Sequence, residues 1–268
     1  MLVDTHCHIH ESNYPLDADE VLGRAREAEV TKVICVGTDL ESSVQAVKFA
    51  NSHNDVFAAI GIHPHETKGL EDGKWNKEFN KLLHSNSQIP SSSLVAIGEI
   101  GLDYFYEHSP RDIQIAVFKT QLQLAVEYDL PVIFHVRDQA VGAGLSSVWD
   151  DFWPIFDSFT GIRGVLHSFT DNQVNLDAAI NRGLYIGING ISTFTKISAQ
   201  QQLFANIPLD NLLLETDAPF LTPQPLRGRI NESAYVRYVA EHQASIRKVS
   251  FEKIATATTT NAHALFAL

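Results

Sequence analysis

Six residues with metal-binding chemistry follow short apolar runs: His6, His8, Glu99, His135, His167 and Asp217. His6 and His8 come after Leu2-Val3, Glu99 after Leu94-Val95-Ala96-Ile97, and His135 after Val132-Ile133-Phe134. His167 closes Val165-Leu166, and Asp217 comes after Leu212-Leu213-Leu214. Side chains alternate across a strand, so His6 and His8 share one face while Cys7 takes the other. A set made only of imidazoles and carboxylates suits a pair of divalent ions better than any other common use. The chemistry this implies is hydrolysis. Two ions about 3.5–4 Å apart polarise a phosphoryl oxygen and yield hydroxide from a bridging water near neutral pH. Asp217 can hold one ion and orient or deprotonate that water. Any one of these residues alone could be a half-buried, hydrogen-bonded side chain. Their joint placement at five strand ends argues against that.

The elements that must position them follow from hydrophobic patterning. Strand-like runs lie at 2–6, 32–37, 56–61, 94–97, 131–135, 164–167, 184–188 and 212–215. Several are continuously apolar, as expected of parallel strands buried on both faces. Helical spacing separates them, in Val21, Leu22, Ala25 and Ala28, in Val44, Val47 and Phe49, and along 111–128. Asp39 and Asp171 stand where helix N-caps are useful, and Gly183 where a helix should stop. Residues 85–93, rich in serine, read as a surface loop, and 219–225 as an active-site loop after the last strand. Two helices are expected near 232–246 and 251–266. Eight strand–helix alternations predict a (β/α)8 TIM barrel, one domain over 1–268, with its metal site at the C-terminal ends of the strands.

Composition narrows the partners. A net charge of −12 argues against tight, sequence-independent nucleic-acid binding, which needs basic surface. It permits an enzyme that meets nucleic acid at a metal centre, where the ions supply local positive charge. Cys7 and Cys35 make neither a disulfide framework nor a CxxC zinc site. No apolar stretch approaches the roughly 18 residues of a membrane span, and the residues from Met1 into the first strand carry neither a charged leader nor an apolar h-region. A cytoplasmic monomer is expected.

The motifs around these residues resemble those of the TatD-type metal-dependent deoxyribonucleases, within the wider amidohydrolase-like metal barrels. They are Asp4-Thr5-His6-Cys7-His8, Gly61-Ile62-His63-Pro64-His65 and Gly98-Glu99-Ile100-Gly101-Leu102-Asp103-Tyr104, followed by Phe134-His135 and Leu166-His167-Ser168-Phe169. Glu215-Thr216-Asp217-Ala218-Pro219 and Asn231-Glu232 complete them, so the resemblance spans essentially the whole chain. It implies that His6, His8, Glu99, His135, His167 and Asp217 hold two divalent ions (Mg²⁺, Mn²⁺ or Zn²⁺). Glu99 takes the bridging place that a modified lysine fills in some related barrels. The implied substrate is DNA, held weakly and cut from an end. A hydrolase of small esters or amides, or an aminoacyl-ester deacylase, is the alternative that the same ligands allow. The chain departs from the family pattern at Val136, Thr170-Asp171, Ile230 and Ser233, which bears on substrate preference and leaves the ligands intact.

Further residues support this chemistry. Glu215 shares the face of Asp217 and Asp4 that of His6, so either could steady a ligand imidazole or pair with a buried base. His63 could contact phosphate or shuttle a proton, or cap a turn. His65 reads as structural. Arg137, two residues past His135, could grip a phosphate or pair with Asp138. Arg227 and Arg229 could meet a nucleic-acid backbone or be solvated. Tyr104, Phe105 and Tyr106 could stack a base or simply pack. Cys7 reads as buried packing, and His10 as a surface residue despite sharing the parity of His8.

Overall fold

The computed structural model describes residues 1–87, 93–106, 108–139 and 146–268. Strand β1 (Leu2–Cys7) leads through α1 (Ala18–Glu27) to β2 (Val30–Val36), and α2 (Leu40–Ala50) leads to β3 (Val56–Ile60). Helices α3 (Trp75–Ser87), α4 (Arg111–Glu127) and α5 (Val148–Asp157) precede β4 (Leu94–Asp103), β5 (Val132–Arg137) and β6 (Gly164–Leu166) in turn. Helix α6 (Gln173–Asn181) precedes β7 (Tyr185–Ile188), and α7 (Ile191–Phe194) with α8 (Ser198–Asn206) precedes β8 (Leu212–Leu214). Helices α9 (Val236–Arg247) and α10 (Phe251–Phe266) follow. Strand order follows chain order. No helix among the described residues is long and apolar enough to cross a membrane.

The chain divides into two compact units. The first holds 1–35, 53–57 and 165–268. In it β1 pairs with β2, β6 with β7 and β7 with β8, all parallel, and a bridge from Cys7 to Ala218 joins β1 to the stretch after β8. Leu2, Ile34, Leu212 and Leu213 are fully buried. Their burial explains why these strands read as unbroken apolar runs. Asn261 of α10 donates to the carbonyls of Leu209 and Leu212, fixing the start of β8.

The second unit holds 36–52 and 58–164, with β3, β4 and β5 in parallel order. Its core includes Phe118, Phe134 and Phe152, with ring centroids 5.4–6.2 Å apart. Two glutamines on the buried face of α4 brace the strand ends. Gln121 accepts from the Ile62 N–H (2.7 Å) and donates to the Ile62 carbonyl (3.0 Å). Gln114 does the same for Asp103, at 2.9 and 3.1 Å. The segment entering His63 and the end of β4 are therefore fixed by side chains that look solvent-facing in the sequence.

Several expectations shift. Strand β4 continues six residues past the predicted end at Ile97, to Asp103. A register irregularity falls between Ile97 and Ile100, and Gly98, Glu99, Gly101 and Asp103 interrupt the apolar signal that would have revealed the extension. Val44 is 47% exposed, so α2 buries Ala46, Val47 and Ala50 instead. Asp39 caps α2 in a capping box with Ser42, but the cap of α6 is Asn172, one residue beyond Asp171. Gly183 follows α6 with φ +73°, the left-handed stop expected of it. Ser85 lies inside α3, and 88–92 of the expected serine loop lie outside the described residues. The helix expected from 232 begins at Val236, after a 3-10 turn at Ser233–Tyr235, whereas α10 spans 251–266 as expected.

Gln121→Leu keeps the volume of the side chain but leaves two buried polar groups of Ile62 unpaired. It is expected to destabilise the fold by about 2–4 kcal/mol, whereas exposed Gln123→Leu on the same helix should stay within about 0.5 kcal/mol. Urea unfolding checks this through a fall in midpoint at constant m. Equal midpoints for the two variants would remove Gln121 from the list of braces.

Candidate metal centre

In the first unit, β1 alternation puts His6 and His8 on one side, with their Nε2 atoms 3.2 Å apart. The Asp217 N–H donates to the His6 carbonyl (2.9 Å), which ties the segment after β8 to β1. Asp217 Oδ1 lies 3.8, 3.4 and 4.0 Å from Nε2 of His6, His8 and His167. These gaps are wider than good hydrogen bonds, and four donor atoms arranged in this way suit a shared cation. Burial would raise the Asp217 carboxyl, but the neighbouring His8, His167 and His6 hold it below the usual carboxylate range.

Glu215 steadies this arrangement. Its Oε1 lies 2.9 Å from His167 Nδ1 and accepts from the Ser168 N–H (2.8 Å), leaving His167 Nε2 on the Asp217 side. Glycine at 187 makes room for it, because a Cβ there would collide with the Glu215 carboxylate. Asp4 accepts from the Thr216 N–H (2.8 Å) and hydroxyl (2.7 Å), so it joins β1 to β8 and acts on His6 through the backbone. Burial pushes the Asp4 carboxyl up to about 7, although the Ser233 and Thr216 hydroxyls offset part of the rise.

In the second unit, Glu99 Oε1 lies 2.7 Å from His135 Nδ1 and 3.5 Å from His63 Nε2. His135 Nε2 reaches Asp103 Oδ2 at 2.9 Å, as does His65 Nε2. Burial alone would lower the His135 imidazole, but its bonds to Asp103 and Glu99 outweigh this and raise it to about 9. Burial would likewise raise the Asp103 carboxyl, yet His135 and His65 hold it well below the usual range. His63 Nδ1 accepts from the His65 N–H (3.1 Å), which leaves its ring proton on Nε2, facing Glu99. Burial, reinforced by nearby His135, drops the His63 imidazole to about 4, so the ring is neutral at pH 7. Gly101, at φ +149°, lets β4 pass the His135 carbonyl, which a Cβ would strike.

The remaining expected residues are distributed unevenly. The Arg137 guanidinium lies over the rings of Phe105 (4.3 Å) and Tyr106 (4.8 Å). Asp138, its alternative partner, accepts from the Ser147 hydroxyl (2.5 Å) and the Val148 N–H (2.9 Å). Arg227 lies over Phe194 (4.0 Å) and donates to the Thr222 carbonyl, and Arg229 hydrogen-bonds Tyr235. Tyr104 departs from its aromatic neighbours: it is buried, donates to Asp151 (2.6 Å) and lies under Arg111. His10 is buried, a correction to its reading as a surface residue, because the chain after β1 turns inward beside Cys35. Cys7 is buried, its thiol 4.0 Å from that of Cys35. Asp103 joins this cluster without having been singled out from the sequence. Its parity with Glu99 on β4 was the available signal.

The donor chemistry fits divalent metal. His6, His167 and Glu215 form one group with ligand atoms within 4.8 Å of one another, as do His63, Glu99 and His135, and His65, Asp103 and His135. Imidazole and carboxylate donors suit zinc or manganese, and magnesium through the carboxylates.

The family model for TatD related DNases matches residues 3–267. YabD of Bacillus subtilis, described as an uncharacterized metal-dependent hydrolase, is 37% identical over 99% of both chains. The 3'-5' ssDNA/RNA exonuclease TatD of Citrobacter rodentium is 32% identical over 100% of this chain and 98% of its own. The crystal structure of YJJV, a TatD homolog from Escherichia coli K12, superposes with a TM-score of 0.85 at 28% identity, covering 100% of this chain and 98% of that one. With its eight parallel strands in chain order the fold is a (β/α)8 barrel, and the chain belongs to the TatD family of metal-dependent hydrolases.

Proposed function

We propose that His6, His8, Glu99, His135, His167 and Asp217 hold two divalent ions at the barrel mouth, and that the enzyme hydrolyses phosphodiester bonds of single-stranded nucleic acid, DNA first, from an end. The observation that carries this is the approach of three imidazole Nε2 atoms to within 4.0 Å of one carboxylate oxygen, Asp217 Oδ1. The substrate follows the relatives from Citrobacter rodentium and Salmonella typhimurium named as 3'-5' ssDNA/RNA exonucleases.

Divalent ions supply Lewis-acid polarisation of the phosphoryl group and activation of the attacking water. The chain supplies the rest. Glu99 would hold metal beside His135, and its negative charge would offset the repulsion between two cations held close together. Glu215 and Asp103 fix the imidazole orientations of His167 and His135, so that His167 Nε2 would be turned to metal on the Asp217 side and His135 Nδ1 would meet metal beside Glu99. His63 offers its Nε2 proton to a phosphate oxygen. Arg137 steadies the substrate strand, and Arg227 and Arg229 lie along the segment after β8. With a net charge of −12, engagement is weak away from this mouth.

The test is digestion of end-labelled single- and double-stranded DNA and single-stranded RNA, beside a panel of esters, amides and aminoacyl esters, with Mg²⁺, Mn²⁺ or Zn²⁺ supplied. Progressive shortening of single strands is expected, abolished by chelation and restored by metal. Turnover confined to the ester, amide or aminoacyl panel would establish the alternative hydrolase. Glu99→Gln should lose more kcat than His135→Ala at saturating metal, because a bridging carboxylate serves both ions. Equal losses would remove Glu99 from the bridging position. Asp103→Asn should weaken metal binding by about 10–100-fold, read by calorimetric metal titration. Unchanged affinity would limit Asp103 to a structural role.

A further inference from the structure

Beside the metal-binding residues of the second unit lies an aromatic ledge that the chemistry does not use. Phe105 and Tyr106 follow β4 after the buried Tyr104 and are 44% and 39% exposed, although both are large and the chain has a well-formed core in which to bury them. They are not loosely held. The backbone N–H groups of both donate to Asp103 Oδ1 at 2.9 Å, the same carboxylate whose other oxygen contacts His135. The two rings meet edge to face at 4.8 Å, and His108 stacks on Tyr106 at an interplanar angle of 23°. The Arg137 guanidinium lies over both rings. His108 also borders an open cleft of about 390 Å³ lined with His65, Glu66 and Lys68.

We propose that Phe105 and Tyr106, with Arg137, form a stacking subsite for a base of single-stranded nucleic acid whose phosphodiester is presented to the adjacent metal-binding residues. The inference rests on the exonuclease reading above and gives it a specificity element. Two exposed rings fixed through their backbone to the group that orients a metal ligand hold a constant position relative to it. A stacked base would therefore place its own phosphate in register with the reacting atoms. An acidic protein cannot derive its hold on a nucleic acid from general phosphate neutralisation, whereas stacking on aromatic and guanidinium planes is indifferent to net charge and tolerant of sequence. Bases in a duplex are already stacked on their neighbours, so the ledge favours single strands.

The experiment uses metal-loaded enzyme and two single-stranded chains of equal length, one carrying thymine and the other tetrahydrofuran abasic residues near the cleaved end. Wild type should prefer the base-bearing chain by about tenfold or more in kcat/KM, mainly through KM. In Phe105→Ala/Tyr106→Ala that preference should collapse to near unity while the rate on the abasic chain is retained, and Tyr106→Phe should keep the preference. Equal losses on both chains would overturn the subsite and mark the rings as structural. Retention of the full preference in the double variant would also overturn it, with the exonuclease reading left standing. Cleavage of neither chain by wild type would bring down both readings together.

Discussion

A carboxylate withdrawn from water must be given donors, and this requirement organises both units of the chain. In the first unit, Asp4 is satisfied by Thr216, which fastens the stretch after β8 to β1. Glu215 is satisfied by His167 and the Ser168 backbone, which sets the ring that faces Asp217. Glu232 is held by the Arg24 guanidinium through contacts of 2.6–3.1 Å, anchoring the segment before α9 to α1. In the second unit, Asp103 collects two imidazoles and two backbone N–H groups. Asp103 ends β4 and Glu215 directly follows β8, where the backbone hydrogen bonds of the sheet run out, whereas Asp4 lies within β1 and Glu232 in the segment before α9. At Asp103 and Glu215 the groups that satisfy the acid include imidazoles of the candidate site.

The two glutamines of α4 extend the same logic to neutral groups. Gln114 and Gln121 complete the hydrogen bonding of Asp103 and Ile62, where parallel pairing no longer does so. A barrel places its functional side chains where the ladder ends, so it must supply substitutes for the ladder at those positions. Here those substitutes come from a helix that otherwise packs Phe118 and Leu122 against the core.

Much of this was legible in the sequence, for a definite reason. A charged or imidazole residue directly after Val-Ile-Phe or Leu-Leu-Leu marks the close of an apolar run at or near a strand end, because a strand buried on both faces admits few such residues. That logic located His6, His8, His135, His167 and Asp217 and the alternation around them. It failed at β4, where glycines and acids continue the strand for six residues beyond its apolar run. Asp103 was hidden by the same failure. Gln114 and Gln121 were illegible for another reason: an uncharged polar residue on a helix declares neither its face nor its partner. Tyr104 and its two successors look alike in sequence, yet one is buried on Asp151 and two are exposed. Alternation past a strand end depends on backbone turns that composition does not encode.

Strand β7 contributes to the centre by omission. A Cβ at Gly187 would occupy the place of the Glu215 carboxylate, so the orientation of His167 depends on a methyl group that is not there. This gives the site a footprint wider than its ligands. A designer grafting it onto another barrel would have to transplant a missing carbon as faithfully as any side chain. A comparison that scored only ligand identities would also overlook Gly187→Ala, a change that would push the Glu215 carboxylate from its place beside His167 while leaving every ligand in the sequence.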